Sequence, residues 1–202
     1  IDDDNDGIPD IVEECVGSST KSYFHTSSRK LAFYDVETQT ETEICTTTSV
    51  FGDLGIDTLG VAYGITLTNP SKIIRVDLDN CTETEIGPLT FRSGKSLSFI
   101  PNGHALVGGA SSAIVYELSS LNPITQSIWH DFTPYNVRNP GGDFIIINNK
   151  LYISFVMNSR ETHLFEITFN SSYEYISHID LGNMGRYWVL FLSEVSPSKL
   201  QN

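Results

Sequence analysis

The 202-residue sequence predicts an all-β fold, a β-propeller-like array of four-stranded antiparallel blades, about four of which are visible, and three observations carry that prediction. One phrase occurs twice, as Asp35-Val36-Glu37-Thr38-Gln39-Thr40-Glu41-Thr42-Glu43-Ile44 and as Asp77-Leu78-Asp79-Asn80-Cys81-Thr82-Glu83-Thr84-Glu85-Ile86, with the copies 42 residues apart. A period of about 40 residues filled with strand-forming segments points to stacked blades rather than to a helical solenoid. A shorter pattern of an apolar residue, an acid and an aliphatic recurs as Tyr34-Asp35-Val36, Val76-Asp77-Leu78, Tyr116-Glu117-Leu118 and Phe165-Glu166-Ile167. Short segments rich in β-branched and aromatic residues are also separated by Gly, Asn-Pro and Asn-Gly turn signals throughout.

Taken in order, Lys21 to Ser27 reads as a first strand carrying Tyr23 and Phe24, and Ser28-Arg29 as a turn. Lys30 to Glu37 follows with Ala32, Tyr34 and Val36 on one face, and Thr42 to Thr47 is its antiparallel partner across a polar corner. The second unit comprises Asp53 to Asp57, Gly60 to Thr66, Lys72 to Leu78 and Thr82 to Ile86. The third comprises Lys95 to Ile100, His104 to Gly108, Ala113 to Leu118 and Gln126 to His130. In the fourth, Gly142 to Ile147, Lys150 to Met157, Thr162 to Thr168 and Tyr173 to Leu181 complete the series, and Arg186 to Glu194 opens a fifth.

In each unit the recurring acid stands on the face opposite to its two apolar neighbours, because side chains alternate along a strand. The two Thr-Glu-Thr-Glu runs fall on the last strand of their units. Charged side chains there keep an unpaired edge from recruiting another sheet.

Composition narrows the function. With 40% hydrophobic and 11% aromatic residues the chain can bury a core, while a net charge of −13 lacks the basic footprint that nucleic acid requires. No apolar run is long enough to span a bilayer as a helix. The start at Ile1 and the open end at Asn202 read as those of a piece of a longer polypeptide with further domains. Cys15, Cys45 and Cys81 allow one disulfide. In the repeat alignment Cys45 stands opposite Gly87 at the end of a strand and Cys81 opposite Gln39 at the turn before it. A strand of roughly five residues puts about 17 Å between those ends, which favours Cys15 with Cys45.

The first residues form a separate region, residues 1–20, ahead of the repeat domain, residues 21–202. Asp2, Asp4, Asp6 and Asp10 occupy positions one, three, five and nine of a loop, with Gly7 at six, Ile8 at seven and Glu13 at twelve. Alternate carboxylates on a tight turn converge on one point, a glycine permits the bend, and a terminal acid closes the six to eight oxygens that a hard cation takes. The loop therefore predicts Ca2+ held by Asp2, Asp4, Asp6, the Ile8 carbonyl, Asp10 and Glu13.

This stretch resembles the thrombospondin type 3 repeat, an EF-hand-like calcium loop frequent in secreted and cell-surface proteins of bacteria of the Bacteroidetes type. The repeat region resembles propeller-like repeats of bacterial surface proteins, on Val61-Ala62-Tyr63-Gly64-Ile65 and Ile74-Arg75-Val76-Asp77-Leu78. The resemblance implies an extracellular, cell-surface or secreted protein with an adhesive or recognition role.

No catalytic constellation is visible. His25, His104, His130, His163 and His178 show no metal or triad spacing, and His163 sits in a column of packed residues. In Trp129-His130-Asp131 the neighbours should point to opposite faces of a strand. Arg138, Arg160 and Arg186 with Trp129, Tyr135 and Trp188 fall near connections where a propeller could bind a glycan or protein ligand. Asn80-Cys81-Thr82 and Asn170-Ser171-Ser172 are formal glycosylation sequons, and Asp57-Thr58-Leu59 resembles a short O-glycosylation motif. The expectation is a non-catalytic module. A glycan-active hydrolase or lyase using Asp53, Asp57, Asp131 or Asp143 is the first alternative, and a structural segment of a surface appendage the second.

The calcium loop is testable by itself. Calcium should give a saturable calorimetric titration and raise the melting temperature, and Asp4→Asn with Asp6→Asn should abolish both effects. A flat titration and a melting temperature indifferent to chelator would remove the site.

Overall fold

The computed structural model describes residues 21–26, 28–35, 37–147 and 150–184. The calcium loop, Cys15, Arg186, Trp188 and the fifth-unit segment lie outside the described residues, as does the side chain of Asp143. Fifteen strands form four antiparallel sheets, each running in chain order from one edge to the other. Sheet one holds β1 (Lys21–His25), β2 (Lys30–Asp35) and β3 (Thr40–Thr46). Sheet two holds β4 (Phe51–Ile56), β5 (Ala62–Thr66), β6 (Lys72–Val76) and β7 (Glu83–Pro88). Sheet three holds β8 (Gly94–Phe99), β9 (Ala105–Gly109), β10 (Ile114–Leu121) and β11 (Ile124–Asp131), and a single 3-10 turn at Thr133–Tyr135 follows it. Sheet four holds β12 (Val137–Ile147), β13 (Lys150–Met157), β14 (Thr162–Phe169) and β15 (Tyr175–Asn183).

The sheets stack face to face in chain order, with the first strands β1, β4, β8 and β12 lying beside one another. Both faces of an inner sheet are therefore buried. Along β9, Leu106 packs toward sheet four and its neighbour Val107 toward sheet two, so every residue of that strand is buried despite the period of two. Three apolar clusters fill the three gaps. Leu31, Phe51, Leu54, Ile74 and Val76 lie between sheets one and two, and Ile65, Ile73, Leu97, Phe99, Val107 and Leu118 between two and three. Phe132, Phe144, Phe155 and Phe165, all essentially inaccessible, head the cluster between three and four. Burying each such ring stabilises the stack by about 1.5–3 kcal/mol.

The first strands approach closely. A methyl group on Gly52 would overlap the Gly94 carbonyl oxygen, and one on Gly108 would sit 2.6 Å from a Pro140 ring carbon. Polar staples cross the same gaps: the Leu97 amide donates to Asp53 Oδ2 at 2.7 Å, and the Ser96 hydroxyl donates to the Gly142 carbonyl.

The recurring acids of the apolar–acid–aliphatic pattern are all employed. Asp35 accepts from the Glu37 and Thr38 amides at 3.0 Å, and Asp77 accepts from the Asp79 amide at 2.8 Å, so each caps the turn that ends its strand. Gln39 and Cys81, equivalent in the repeat, both take left-handed φ values, 54° and 57°. The two turns thus share a conformation as well as a sequence. Glu117 instead pairs with His104 Nδ1 at 2.7 Å, and Glu166 with Lys150 at 2.6 Å and the Tyr152 hydroxyl at 2.9 Å.

The acidic runs do lie on edge strands, β3 and β7. Glu43 and Glu85, again equivalent, bind Lys30 and Lys72 at 2.6 and 2.7 Å. Such half-exposed pairs contribute at most about 1 kcal/mol each. Glu83 does more: it crosses to sheet one, where its carboxylate accepts from the Thr48 amide at 2.5 Å, the Ser49 amide at 3.2 Å and the Ser49 hydroxyl at 2.5 Å. Burial pushes the Glu83 carboxyl up, but these hydrogen bonds outweigh burial and leave it below its ordinary value.

The disulfide differs from the sequence expectation. Cys45 is bonded to Cys81, not to Cys15, with their Cα atoms 6.0 Å apart. The repeat alignment treats consecutive blades as superposed parallel copies. Twist accumulates across each sheet, so the outer strand of one blade runs obliquely to the next and the end of β3 meets the turn before β7. Glu83, two residues beyond Cys81, reaches Thr48 and Ser49 for the same reason.

Replacing both Cys45 and Cys81 by Ser should lower unfolding free energy by about 4 kcal/mol, the chain-entropy value for a separation of 36 residues, measured by urea denaturation without reductant. An unchanged midpoint would count against the bridge. Because the folded-state pKa of Glu83 lies below its unfolded value of 4.5, its contribution is complete above that pH and is lost as pH falls through the folded value. Glu83→Gln should therefore flatten the acid limb of a stability–pH profile and cost about 1–2 kcal/mol at neutral pH.

Candidate functional site

Two places concentrate polar chemistry. The first is a cleft of about 480 Å³ at the end of sheet two that carries the β4–β5 and β6–β7 turns. It is lined by the aliphatic Val61, Ala62, Val76 and Leu78, by Arg75, Asp77, Asp79, Thr82 and Thr84, and by Tyr23 of sheet one. The β6–β7 turn is built by Asp77 and Asn80: the Asn80 amide donates to Asp77 Oδ2 at 3.0 Å and its oxygen accepts from the Thr82 amide at 2.8 Å. The opposite turn is built by Asp57, which accepts from the Leu59 and Val61 amides at 2.9 Å.

Electrostatics in the cleft are mixed. Burial, then the charge of Asp79, pushes the Tyr23 hydroxyl up. Tyr63, beside the cleft, is pushed up by burial and by its hydrogen bond and charge contact with Asp57, while Arg75 acts in the opposite sense. Among the described residues Arg75 forms no ion pair, and the Asp79 carboxylate accepts no hydrogen bond. One cation, two carboxylates and three hydroxyls thus share the cleft with four aliphatic side chains.

The second place is an aromatic and histidine cluster between the outer strands of sheets three and four. His130 stacks on Tyr175 with centroids 3.5 Å apart, His178 on Phe165 at 4.9 Å, and Tyr135 meets His178 edge-on at 4.2 Å. The Tyr175 hydroxyl is 2.7 Å from His178 Nδ1, and the Trp129 indole N–H donates to the Tyr173 carbonyl at 2.7 Å. Burial first, then hydrogen bonding and charge from Tyr135, push the Tyr175 hydroxyl up to about 12. Burial pulls both His130 and His178 down. At His130 the charge of His178 adds to this and Asp131 opposes it, whereas at His178 Asp180 opposes it.

Alternation along β11 fails here. A bulge opposite Val115 and Tyr116 leaves Trp129 unmatched, so Trp129 and His130 both reach Tyr175 instead of opposite faces. His163 is half-buried as expected but also paired, with Nδ1 2.8 Å from Asp180 Oδ2.

The remaining sequence candidates do not converge. Asp53 is bonded to the Leu54 and Leu97 amides, Asp57 holds its own turn, and Asp131 accepts from the Thr133 amide at 2.8 Å. Arg138 and Arg160 belong to the end of sheet four closed by the β13–β14 turn, whereas Trp129 is bound to the turn at the other end of β14. Both sequon asparagines, Asn80 and Asn170, are committed to their turns. Among the described residues no group of three His, Cys, Asp or Glu side chains could hold a metal, and no helix is long and apolar enough to cross a membrane.

No family model matches the chain, and no curated protein matches it in sequence. Solved structures match in fold. TolB from Acinetobacter baumannii superposes with a TM-score of 0.53 at 12% identity, over 85% of this chain and 44% of that one. An auxiliary nutrient binding protein from Bacteroides ovatus gives 0.57 at 12% identity, over 85% and 41%. Virginiamycin B lyase from Staphylococcus aureus gives 0.55 at 12% identity, over 80% and 52%. The chain is all-β and β-propeller-like. It spans about half or less of the length of these structures, whose names cover binding and lyase functions alike.

Proposed function

We propose that the chain is a non-catalytic recognition module of an extracellular, calcium-binding bacterial surface or secreted protein, and that the cleft at the end of sheet two takes its ligand, a short glycan or peptide segment. The observation that carries this reading is the cleft itself: about 480 Å³, lined by Val61, Val76 and Leu78 together with Arg75 and Asp79, neither of which forms an ion pair among the described residues. Ligand sites generally join an apolar surface to a few polar groups that fix orientation. The Cys45–Cys81 disulfide supports work in an oxidising compartment, where such bonds persist. One structural neighbour, an auxiliary nutrient binding protein, is compatible with recognition, on fold likeness alone.

The enzymatic reading rests on one specific observation, that Asp77 and Asp79 both line the cleft, rather than on Asp53, Asp57 or Asp131. Asp77 is tied down by two hydrogen bonds from its own turn, which suits a scaffold better than a titrating acid.

Calorimetric titration of the chain with a panel of oligosaccharides and short peptides tests the proposal. At least one ligand class should bind saturably, with Asp79→Asn and Tyr23→Phe each weakening it about tenfold, or roughly 1.4 kcal/mol. Binding that ignores both substitutions, or none from any class, would overturn the assignment of the cleft. Conversion of the bound ligand, lost in Asp79→Asn, would instead establish the enzyme.

A further inference from the structure

We infer that His130, Tyr135, Tyr175 and His178 form an acid-sensitive clasp, which holds the outer strands of sheets three and four together while both imidazoles are neutral and releases them when the imidazoles are protonated.

The clasp joins three elements. His130 comes from β11, Tyr135 from the 3-10 turn, and Tyr175 and His178 from β15. Its polar contacts require particular proton positions. The Tyr175 hydroxyl lies 2.7 Å from His178 Nδ1 and donates to it in the tautomer that carries its proton on Nε2. Protonation of Nδ1 reverses that bond, so that Tyr175 must accept from the imidazolium and turn its own proton elsewhere.

His130 makes the second demand. Its Nε2 is buried and has no hydrogen-bond partner among the described residues, so a neutral ring with the proton on Nδ1 leaves a bare acceptor there, whereas an imidazolium leaves a buried N–H with no such partner. The near-parallel stack on Tyr175, tilted by 17°, would favour a cation over the ring face. The orphan nitrogen and the second imidazole oppose it. Burial lowers the basicity of both rings, in line with that balance.

The carboxylates around the clasp are already engaged. On β11, Asp131 is held by Thr133; on β15, Asp180 is shared with His163 of β14 at 2.8 and 3.0 Å and with the Gly182 amide at 2.8 Å. Glu161 lies 3.8 Å from His163 Nε2, and Glu174 is bound by the Asn170 amide at 2.8 Å. Arg138 on β12 adds a guanidinium group. Asp131 and Asp180 each attract one imidazolium, but burial outweighs them at both rings.

The linkage has one sign. A histidine whose folded pKa lies below the unfolded value of 6.5 contributes stability that is complete above 6.5 and falls as pH drops toward the folded value. His25 is lowered too, but it lies in sheet one, bonded to Thr47, so a local readout separates it.

Hydrogen exchange on the whole chain at pH 7.5 and 5.0, corrected for intrinsic rates, tests the clasp. Protection over residues 126–135 and 173–180 should fall at least about tenfold more than over β9 on acidification, and His130→Phe with His178→Gln should remove that difference. Equal protection at both pH values, or an unchanged response in the double variant, would overturn the inference. Should the double variant not fold, ring-proton titration of the wild type decides. Midpoints below 6.5 with loss of the His130–Tyr175 contact support the clasp; midpoints at or above 6.5, or a contact that survives protonation, overturn it.

Discussion

Backbone-to-backbone contact along the line of first strands is the constraint on which the rest of the molecule depends. Gly52 against the Gly94 carbonyl allows β4 and β8 to lie closer than any side chain would permit, and Gly108 of β9 leaves room for the Pro140 ring of β12. Four sheets that converge at one edge and twist as they run outward must diverge at the other. The apolar clusters fill the middle of each gap, and the outer edges need separate devices to stay together.

Each gap has a different device. Between sheets one and two it is the Cys45–Cys81 disulfide with the Glu83 carboxylate on Thr48 and Ser49. Between sheets two and three, Gln126 and Thr90 exchange two hydrogen bonds, at 2.7 and 3.1 Å. Between sheets three and four the device is aromatic, with Trp129 on the Tyr173 carbonyl and His130 on Tyr175. A covalent bond, a neutral amide and a titratable stack respond to different conditions. The first edge is thus sensitive to redox state and, through Glu83, to acid, the second to little at all, and the third to acid.

Much of the acidity that the composition presents as a surface property is internal wiring. Asp35, Asp57 and Asp77 hold turns, Asp53 crosses to β8, and Glu43, Glu85 and Glu166 pair with lysines on neighbouring strands. This was partly legible: the repeat placed the acidic runs on edge strands, where they are. It hid the role of Glu83, because equivalence between Glu41 and Glu83 says nothing of which blade lies across the gap. The cleft was illegible for a similar reason. Tyr23 is far along the chain from Arg75 and Asp79, and each reads as an ordinary strand or turn residue until the sheets are stacked.

The sequence by itself determined the strands, their order within each sheet and the all-β class, since period-two alternation, turn residues and the 42-residue repeat are local properties that survive without tertiary context. It also carries the Asp-rich loop, whose acids lie close together in the chain. Only the tertiary structure decided which cysteines meet, where Trp129 and His130 point, and which turns enclose a cleft. Twist between blades and a one-residue bulge set those outcomes, and both depend on how a strand is paired and packed.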